Sequence, residues 1–160
     1  MKRISLTLSV VLLALSMVFV QSFALPPFCT LLRWSSTGDI GIVVPDDSHL
    51  LLVKADGTLI SSLTLEGAVS DAAVSPDSSL LAYSIQAQGL YVSKLDGTAR
   101  AGIDSGMCQN LRWSADGSRI FYTRMQVSPQ DTLRGTLSLF SAKADGSGKI
   151  KIYERAYGPE

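Results

Sequence analysis

The chain has 160 residues, which fits a single domain, and it carries 14 basic and 14 acidic side chains. This balance disfavours a nucleic-acid-binding protein, because such proteins need a basic excess to neutralise phosphates. The hydrophobic content of 46% disfavours intrinsic disorder, because burial of that much apolar surface can offset the entropy lost on ordering.

The first 24 residues have the three parts of a secretory signal peptide. A short basic start is followed by an uncharged, mostly apolar run at 4–20 and then by small residues at the two positions that a signal peptidase reads, Ser22 and Ala24. We therefore predict a signal helix, cleavage after Ala24, and a mature chain (25–160) that is periplasmic or secreted. The alternative is an uncleaved anchor at 4–20, which would be the chain's only membrane contact.

Two short motifs recur in phase along the rest of the chain. The first motif is a serine-rich turn sequence that follows residues 40 and then 39 positions apart, namely Trp34, Val74 and Trp113. The second motif, Lys-x-Asp-Gly-Thr or Lys-x-Asp-Gly-Ser, begins at Lys54, Lys94 and Lys143. Repetition with a period near 40 residues is typical of propeller blades and related arrays.

Each repeat predicts four short antiparallel strands. Asp-Gly between apolar runs is a strong hairpin signal, because glycine adopts positive φ without strain, and the serine-rich stretches also form turns. The predicted repeats span 30–64, 69–103 and 109–152. The predicted strands are Thr30–Ser35, Asp39–Val44, His49–Ala55, Thr58–Thr64, Val69–Ser75, Leu80–Ile85, Gly89–Leu95, Thr98–Ile103, Gln109–Ser114, Arg119–Arg124, Thr136–Lys143 and Gly148–Ile152.

These strands are apolar on both faces. In the first repeat Ile42 points one way and Val43 the other, and in the third repeat Tyr122 opposes Phe121. The strands of a sheet with one solvent-exposed face would instead alternate between apolar and polar residues. Four-stranded antiparallel sheets that bury both faces are typical of propeller blades stacked face to face.

The turn motifs resemble those of TolB-type WD-like β-propeller repeats. The resemblance rests on Val74-Ser75-Pro76-Asp77 and Trp113-Ser114-Ala115-Asp116-Gly117, each followed by an apolar strand and a later Asp-Gly, and it covers 30–152. It implies an all-β partial propeller of about three four-stranded blades, in a cell-envelope setting and with no named partner. Two departures are Ser36-Thr37-Gly38, where the family prefers Pro-Asp-Gly, and Ser78 at a turn glycine position.

Three blades are fewer than the roughly four that a closed propeller needs. The two outer blade faces would then be apolar and uncovered, as interfaces are. Three arrangements remain open. The chain could self-associate, for example as three blades plus three; it could dock onto a protein partner; or it could be a truncated remnant, with Tyr157 standing where a fourth blade would begin.

The chain offers little for catalysis. The single histidine, His49, follows Asp46 and Asp47 in a stretch that reads as a polar turn. No Gly-x-Ser-x-Gly elbow occurs, and one histidine with two cysteines cannot complete a usual zinc site. Gly146-Ser147-Gly148-Lys149 lacks the first glycine of a phosphate loop. We therefore expect a non-enzyme with no catalytic residue, metal or cofactor.

Five residues are candidates for binding. Arg33 and Arg112 each precede a repeat tryptophan on the strand expected to be innermost, where they would line a channel or pair with carboxylates. The third repeat carries an insertion of about ten residues at 126–135. Long loops on a rigid scaffold often carry recognition, so we predict contacts from Gln126, Asp131 and Arg134.

Cys29 and Cys108 each lie five residues before a repeat tryptophan. In an exported protein two cysteines suggest a disulfide, which requires their Cα atoms to approach within about 7 Å. Two free thiols or a bridge between chains are the alternatives.

The sequence as a whole favours a non-catalytic exported propeller module that mediates protein contacts in the cell envelope or outside the cell. One alternative is an enzyme-associated or carbohydrate-binding half of a propeller. The other is a truncated propeller remnant without independent function.

Overall fold

A computed structural model describes residues 30–158. The predicted signal peptide at 1–24, the alternative anchor at 4–20 and Cys29 lie outside these residues. Within 30–158, no helix is long and apolar enough to span a bilayer. The strands are β1 Thr30–Trp34, β2 Ile40–Asp46, β3 His49–Lys54, β4 Leu59–Thr64, β5 Val69–Val74, β6 Leu80–Ile85, β7 Gly89–Lys94, β8 Ala101–Ser105, β9 Met107–Trp113, β10 Ile120–Val127, β11 Gly135–Ala142 and β12 Ile150–Tyr157.

The strands form three four-stranded antiparallel sheets, each built from consecutive strands. Sheet 1 is β1 to β4, sheet 2 is β5 to β8 and sheet 3 is β9 to β12. The predicted all-β fold with four strands in each repeat is confirmed. Most boundaries agree with the prediction to within one or two residues, and the larger differences are that β8 begins at Ala101, β10 continues to Val127 and β12 continues to Tyr157. The third repeat is therefore longer than 109–152.

The recurring serine closes the turn between the first two strands of every sheet. Its backbone N–H donates to the carbonyl oxygen five residues later, at 2.6 to 2.8 Å. The N–H of that later residue donates to the serine Oγ, at 2.9 to 3.1 Å. This pair of hydrogen bonds is present at Ser35, Ser75 and Ser114. The serine is therefore part of the turn, which is why it recurs with the repeat.

The Lys-x-Asp-Gly motif forms the turn between the last two strands. In each copy the aspartate Oδ1 accepts a hydrogen bond, at 2.8 to 2.9 Å, from the N–H two residues later. The intervening glycine has a φ of 81° to 86°, a conformation that L side chains avoid. The copies lie at Gly57, Gly97 and Gly146. The Asp-Gly hairpins predicted from the sequence are thus all present.

The sheets stack through opposite faces. Directly paired residues of neighbouring strands point to the same side, so each sheet has a front face, marked by Leu81 and Tyr83 in sheet 2, and a back face, marked by Ala82. The front face of sheet 2 packs on the back face of sheet 1 around the core residues Ile40, Ile42, Leu50, Leu52, Leu63, Ala72, Val74, Leu81, Tyr83 and Ile85.

The second core uses the same pairing one repeat later. The front face of sheet 3, with Ile120 and Tyr122, packs on the back face of sheet 2. The residues of this core are Ala73, Ala82, Leu90, Val92, Ile103, Cys108, Leu111, Ile120, Tyr122, Phe140 and Ala142. Sheet 2 is therefore covered on both faces, whereas the front face of sheet 1 and the back face of sheet 3 have no neighbouring sheet among the described residues.

Ser78 and Gly117 occupy the same turn position and provide a matched test of backbone strain. Their φ values are 58° and 69°, and a Cβ at Gly117 would meet only Pro76 Cδ at 3.6 Å. We expect Ser78→Gly to raise the free energy of unfolding by about 0.5–1 kcal/mol and Gly117→Ser to lower it by a similar amount. Urea unfolding of both variants checks this. A loss of stability in Ser78→Gly would contradict it.

Candidate functional site

One buried carboxylate joins the first strands of all three sheets. Asp71 on β5 is 7% exposed. Its Oδ1 accepts a hydrogen bond from Arg33 Nη2 on β1 at 2.7 Å, and its Oδ2 accepts one from the Leu111 N–H on β9 at 2.8 Å. Arg33 Nη1 also donates to the Leu111 carbonyl oxygen at 2.5 Å. The three side-by-side strands are thus linked at a single point.

Asp71 lies in a poorly solvated place. Burial raises the pKa of its carboxyl group above the usual value, although hydrogen bonds from the backbone N–H groups of Leu111 and Ala72 act in the opposite direction. Arg33, which the sequence placed either in a channel or beside a carboxylate, is the carboxylate partner. Its role in this structure is to connect sheets.

Arg112 has a different environment from its repeat equivalent Arg33. Its Nη1 donates to the Leu111 carbonyl oxygen at 2.9 Å, and the side chain is exposed. It lines a groove of about 420 Å³ together with both repeat tryptophans, Trp34 and Trp113. The indole N–H of Trp113 donates to the Ala73 carbonyl oxygen at 3.0 Å, which fixes that ring against sheet 2.

This groove combines a cation, indole surface and hydroxyl groups. Ser35, Ser36 and Ser114 also line it. Such a combination can hold a small polar ligand by stacking and hydrogen bonding. The two tryptophans occupy equivalent positions in the sequence and were interpreted only as markers of the repeat. That they line one groove was therefore not predicted.

A second polar cluster lies between sheets 2 and 3. The Asp104 side chain on β8 is 4% exposed and forms ion pairs with Lys149 Nζ at 2.9 Å and Arg124 Nη1 at 3.0 Å. It also accepts a hydrogen bond from Tyr122 Oη at 2.7 Å. Burial alone would raise the pKa of Asp104, but the hydrogen bonds from Lys149 and Tyr122 outweigh it and hold the pKa below its usual value.

Cys108 is buried in the core between sheets 2 and 3 and forms no disulfide with any described residue. Burial raises the pKa of its thiol to about 12. Because Cys29 lies outside the described residues, a bridge between the two cysteines stays a prediction.

The insertion of the third repeat is shorter as a loop than the sequence predicted. Gln126 pairs with Thr136 and Val127 pairs with Gly135, so both ends of the 126–135 segment continue the β10–β11 hairpin. The strand extends into this segment because Met125-Gln126-Val127 alternates between apolar and polar side chains, as strands do. The remaining loop, 128–134, is closed by a hydrogen bond of 2.8 Å from the Ser128 N–H to the Arg134 carbonyl oxygen.

The three residues predicted to bind through this insertion lie near one another. Arg134 Nε and Asp131 Oδ2 form an exposed ion pair at 3.2 Å. Gln126 and Arg134 line a groove of about 510 Å³ with Glu154 and Tyr157. The structure therefore places Gln126 and Arg134 around one open groove at the end of the β10–β11 hairpin, while Asp131 is connected to it through its ion pair with Arg134.

The His49 stretch forms the predicted turn. A hydrogen bond from His49 lowers the pKa of Asp46 to about 2, and the His49 Nδ1 lies 2.8 Å from Asp46 Oδ1. Across residues 30–158, no three histidine, cysteine, aspartate or glutamate side chains are placed to hold a metal ion.

Comparison with known proteins shows the fold and nothing finer. No protein family matches the sequence, and no curated protein matches it. Solved structures do match: hydrazine synthase of Kuenenia stuttgartiensis at 12% identity over 78% of this chain, with a TM-score of 0.55, and the tricorn protease at 12% over 72%, also with a TM-score of 0.55. A eukaryotic initiation factor matches at 9% over 81%, with a TM-score of 0.51.

The described sheets resemble propeller blades. The chain spans only 36%, 13% and 32% of those three longer chains. At such low identity the likeness shows a propeller-like β fold alone, and the matched proteins include both enzymes and a non-enzyme.

Arg33 and Arg112 provide a matched pair for testing the Asp71 link. Arg33→Met leaves a buried carboxylate without its cation, so we expect the free energy of unfolding to fall by about 3 kcal/mol. Arg112→Met removes an exposed side chain with no ion pair among the described residues, and we expect a change below about 0.5 kcal/mol. Chemical denaturation of both variants measures the difference. Equal losses would contradict the link.

The Asp104 cluster predicts a dependence of stability on pH. Because the folded chain lowers the pKa of Asp104, its ionisation stabilises the fold fully above a pH of about 4 and less as the pH falls through the folded pKa. Asp104→Asn should therefore destabilise by about 1–3 kcal/mol at pH 7 and by clearly less at pH 3. Unfolding curves across this range check it, with the exposed Asp131→Asn as control. A pH-independent difference would count against the prediction.

Proposed function

We propose that this chain is a non-catalytic propeller module, exported to the cell envelope or beyond, that acts by binding protein through a free sheet face. The observation that carries the proposal is the back face of sheet 3, which exposes large apolar side chains beside Arg155, the residue paired with Leu137. Leu137, Ile150 and Tyr153 are 44%, 54% and 59% exposed. They share that face, because Leu137 pairs with Met125, Ile150 with Ser141 and Tyr153 with Leu139.

The same face is closed in the other two sheets. Ile42 and Leu52 on the back of sheet 1, and Leu90 on the back of sheet 2, are 0% exposed. The back face of this repeat is thus a surface that normally packs against another sheet. An exposed apolar patch of this kind is typical of a protein-binding surface.

Two features of the sequence support the location in the proposal. The predicted signal peptide at 1–24 supports export, and the resemblance of the turn motifs to TolB-type repeats supports an envelope setting. The insertion loop with Asp131 and Arg134 adjoins sheet 3 and would supply polar contacts at the rim of the same interface.

Site-specific photo-crosslinking tests the proposal. We expect a photoreactive residue at Leu137 to capture protein in the cells that make the chain, because this side chain lies in the free apolar face. The control is Ala55, which is exposed in a hairpin turn of sheet 1. Protein adducts from position 137 and none from position 55 are the expected result. Absence of any adduct from position 137 would refute the proposed contact.

A further inference from the structure

We infer that the partner on the back face of sheet 3 is a second copy of this chain, which presents the front face of its own sheet 1. Two copies joined head to tail would close a ring of six sheets. The inference rests on the proposed function, since it names the protein that covers the same face.

The internal interfaces show which surfaces fit together. Sheet 2 on sheet 1 and sheet 3 on sheet 2 are both contacts of a front face with a back face. Each chain also has one front face and one back face left over, at opposite ends of the stack. A second copy therefore offers the kind of surface that the repeat already packs against twice.

The leftover front face has its buried counterparts inside the chain. Gly41 on sheet 1 pairs with Trp34, as Leu81 pairs with Val74 and Ile120 with Trp113. At the position of Trp34, Val74 is 4% exposed and Trp113 packs against the second core, whereas Trp34 itself is 44% exposed. The position that makes sheet-to-sheet contacts in the second and third repeats is open in the first.

Gly41 gives this open face its shape. A Cβ at Gly41 would lie 3.2 Å from Trp34 Cζ3 and 3.3 Å from Val53 Cγ2, so the indole lies over the glycine where the other repeats have leucine or isoleucine. With the exposed Leu59, which pairs with Val53, the indole forms an apolar surface. Tryptophan is a frequent anchor of protein interfaces.

The number of sheets per chain favours a closed ring of two copies. Propellers typically close with about four to eight blades. One chain supplies three sheets and two chains supply six, whereas three chains would supply nine and exceed that range. A ring of two copies leaves no front or back face uncovered.

The faces are large enough to hold two copies together. A four-stranded face with strands ~4.8 Å apart and about six residues long has a footprint of roughly 400 Å². The ring would cover four such faces, about 1,600 Å² in all, which lies in the range of stable interfaces.

The solution mass of the purified chain, expressed from Met1, tests this inference. We expect light scattering at micromolar concentration to give twice the chain mass found by mass spectrometry. Leu137→Glu on the back face of sheet 3 should give a single chain. Leu133→Glu is the matched control, because Leu133 is 70% exposed in the 128–134 loop, outside that face, and it should leave the mass doubled.

A second variant tests the head-to-tail arrangement. Leu59→Glu, on the front face of sheet 1, should also give a single chain, because each contact in the ring needs one front face and one back face. A mixture of Leu59→Glu and Leu137→Glu chains retains one intact pair of faces, about half of the ring's contact area, and should recover the doubled mass in part and increasingly at higher concentration. Circular dichroism confirms that these variants of exposed residues remain folded.

Two results would overturn the inference. A wild-type chain of single mass would exclude the ring, and a doubled mass in Leu59→Glu would show that the copies pair in another way. Adducts of a different protein at position 137, with a monomeric chain, would exclude a second copy as the partner but would support the proposed function. A monomer without any adduct would refute both.

Discussion

Every described sheet has large apolar side chains on both faces, so packing against a single neighbouring sheet would leave one apolar face exposed to water. In β6, Leu81 and Tyr83 face sheet 1 while Ala82 faces sheet 3, and all three are buried. Burial of each large apolar side chain contributes about 1.5–3 kcal/mol, which makes a half-covered sheet unfavourable. Stacking in one direction follows from this constraint, and so do the open face at each end of the stack and the proposals that rest on them.

The strands could be predicted because their limits are set locally. A turn serine such as Ser75 and a turn glycine such as Gly97 each act within a few residues, so the sequence near the turn contains the whole cause. The 126–135 segment was harder, because its ends alternate as strands while Pro129 and Gly135 suggest a loop. Its split into strand and loop depends on pairing across the hairpin.

The polar links could not be predicted, because each joins residues that the sequence holds far apart. Asp71 meets Arg33 and Leu111 only after three sheets have stacked, and Asp104 meets Lys149 in the same way. Equivalent positions also diverge. Arg33 reaches Asp71 in the following sheet, whereas Arg112 has no carboxylate partner among the described residues, because no described sheet follows sheet 3.

The longer hairpin of sheet 3 gives the stack an uneven height. Beyond the level at which Ile85 meets Gly89 in sheet 2, the β10–β11 hairpin continues for three more residue pairs, from Met125 to Val127. At ~3.4 Å per residue this adds about 10 Å at one end of the sheet. A flat surface that docks across this edge would contact the extended β10–β11 hairpin first and would therefore tilt. The hairpin thus makes the edge of the stack where it projects sterically different from the opposite edge.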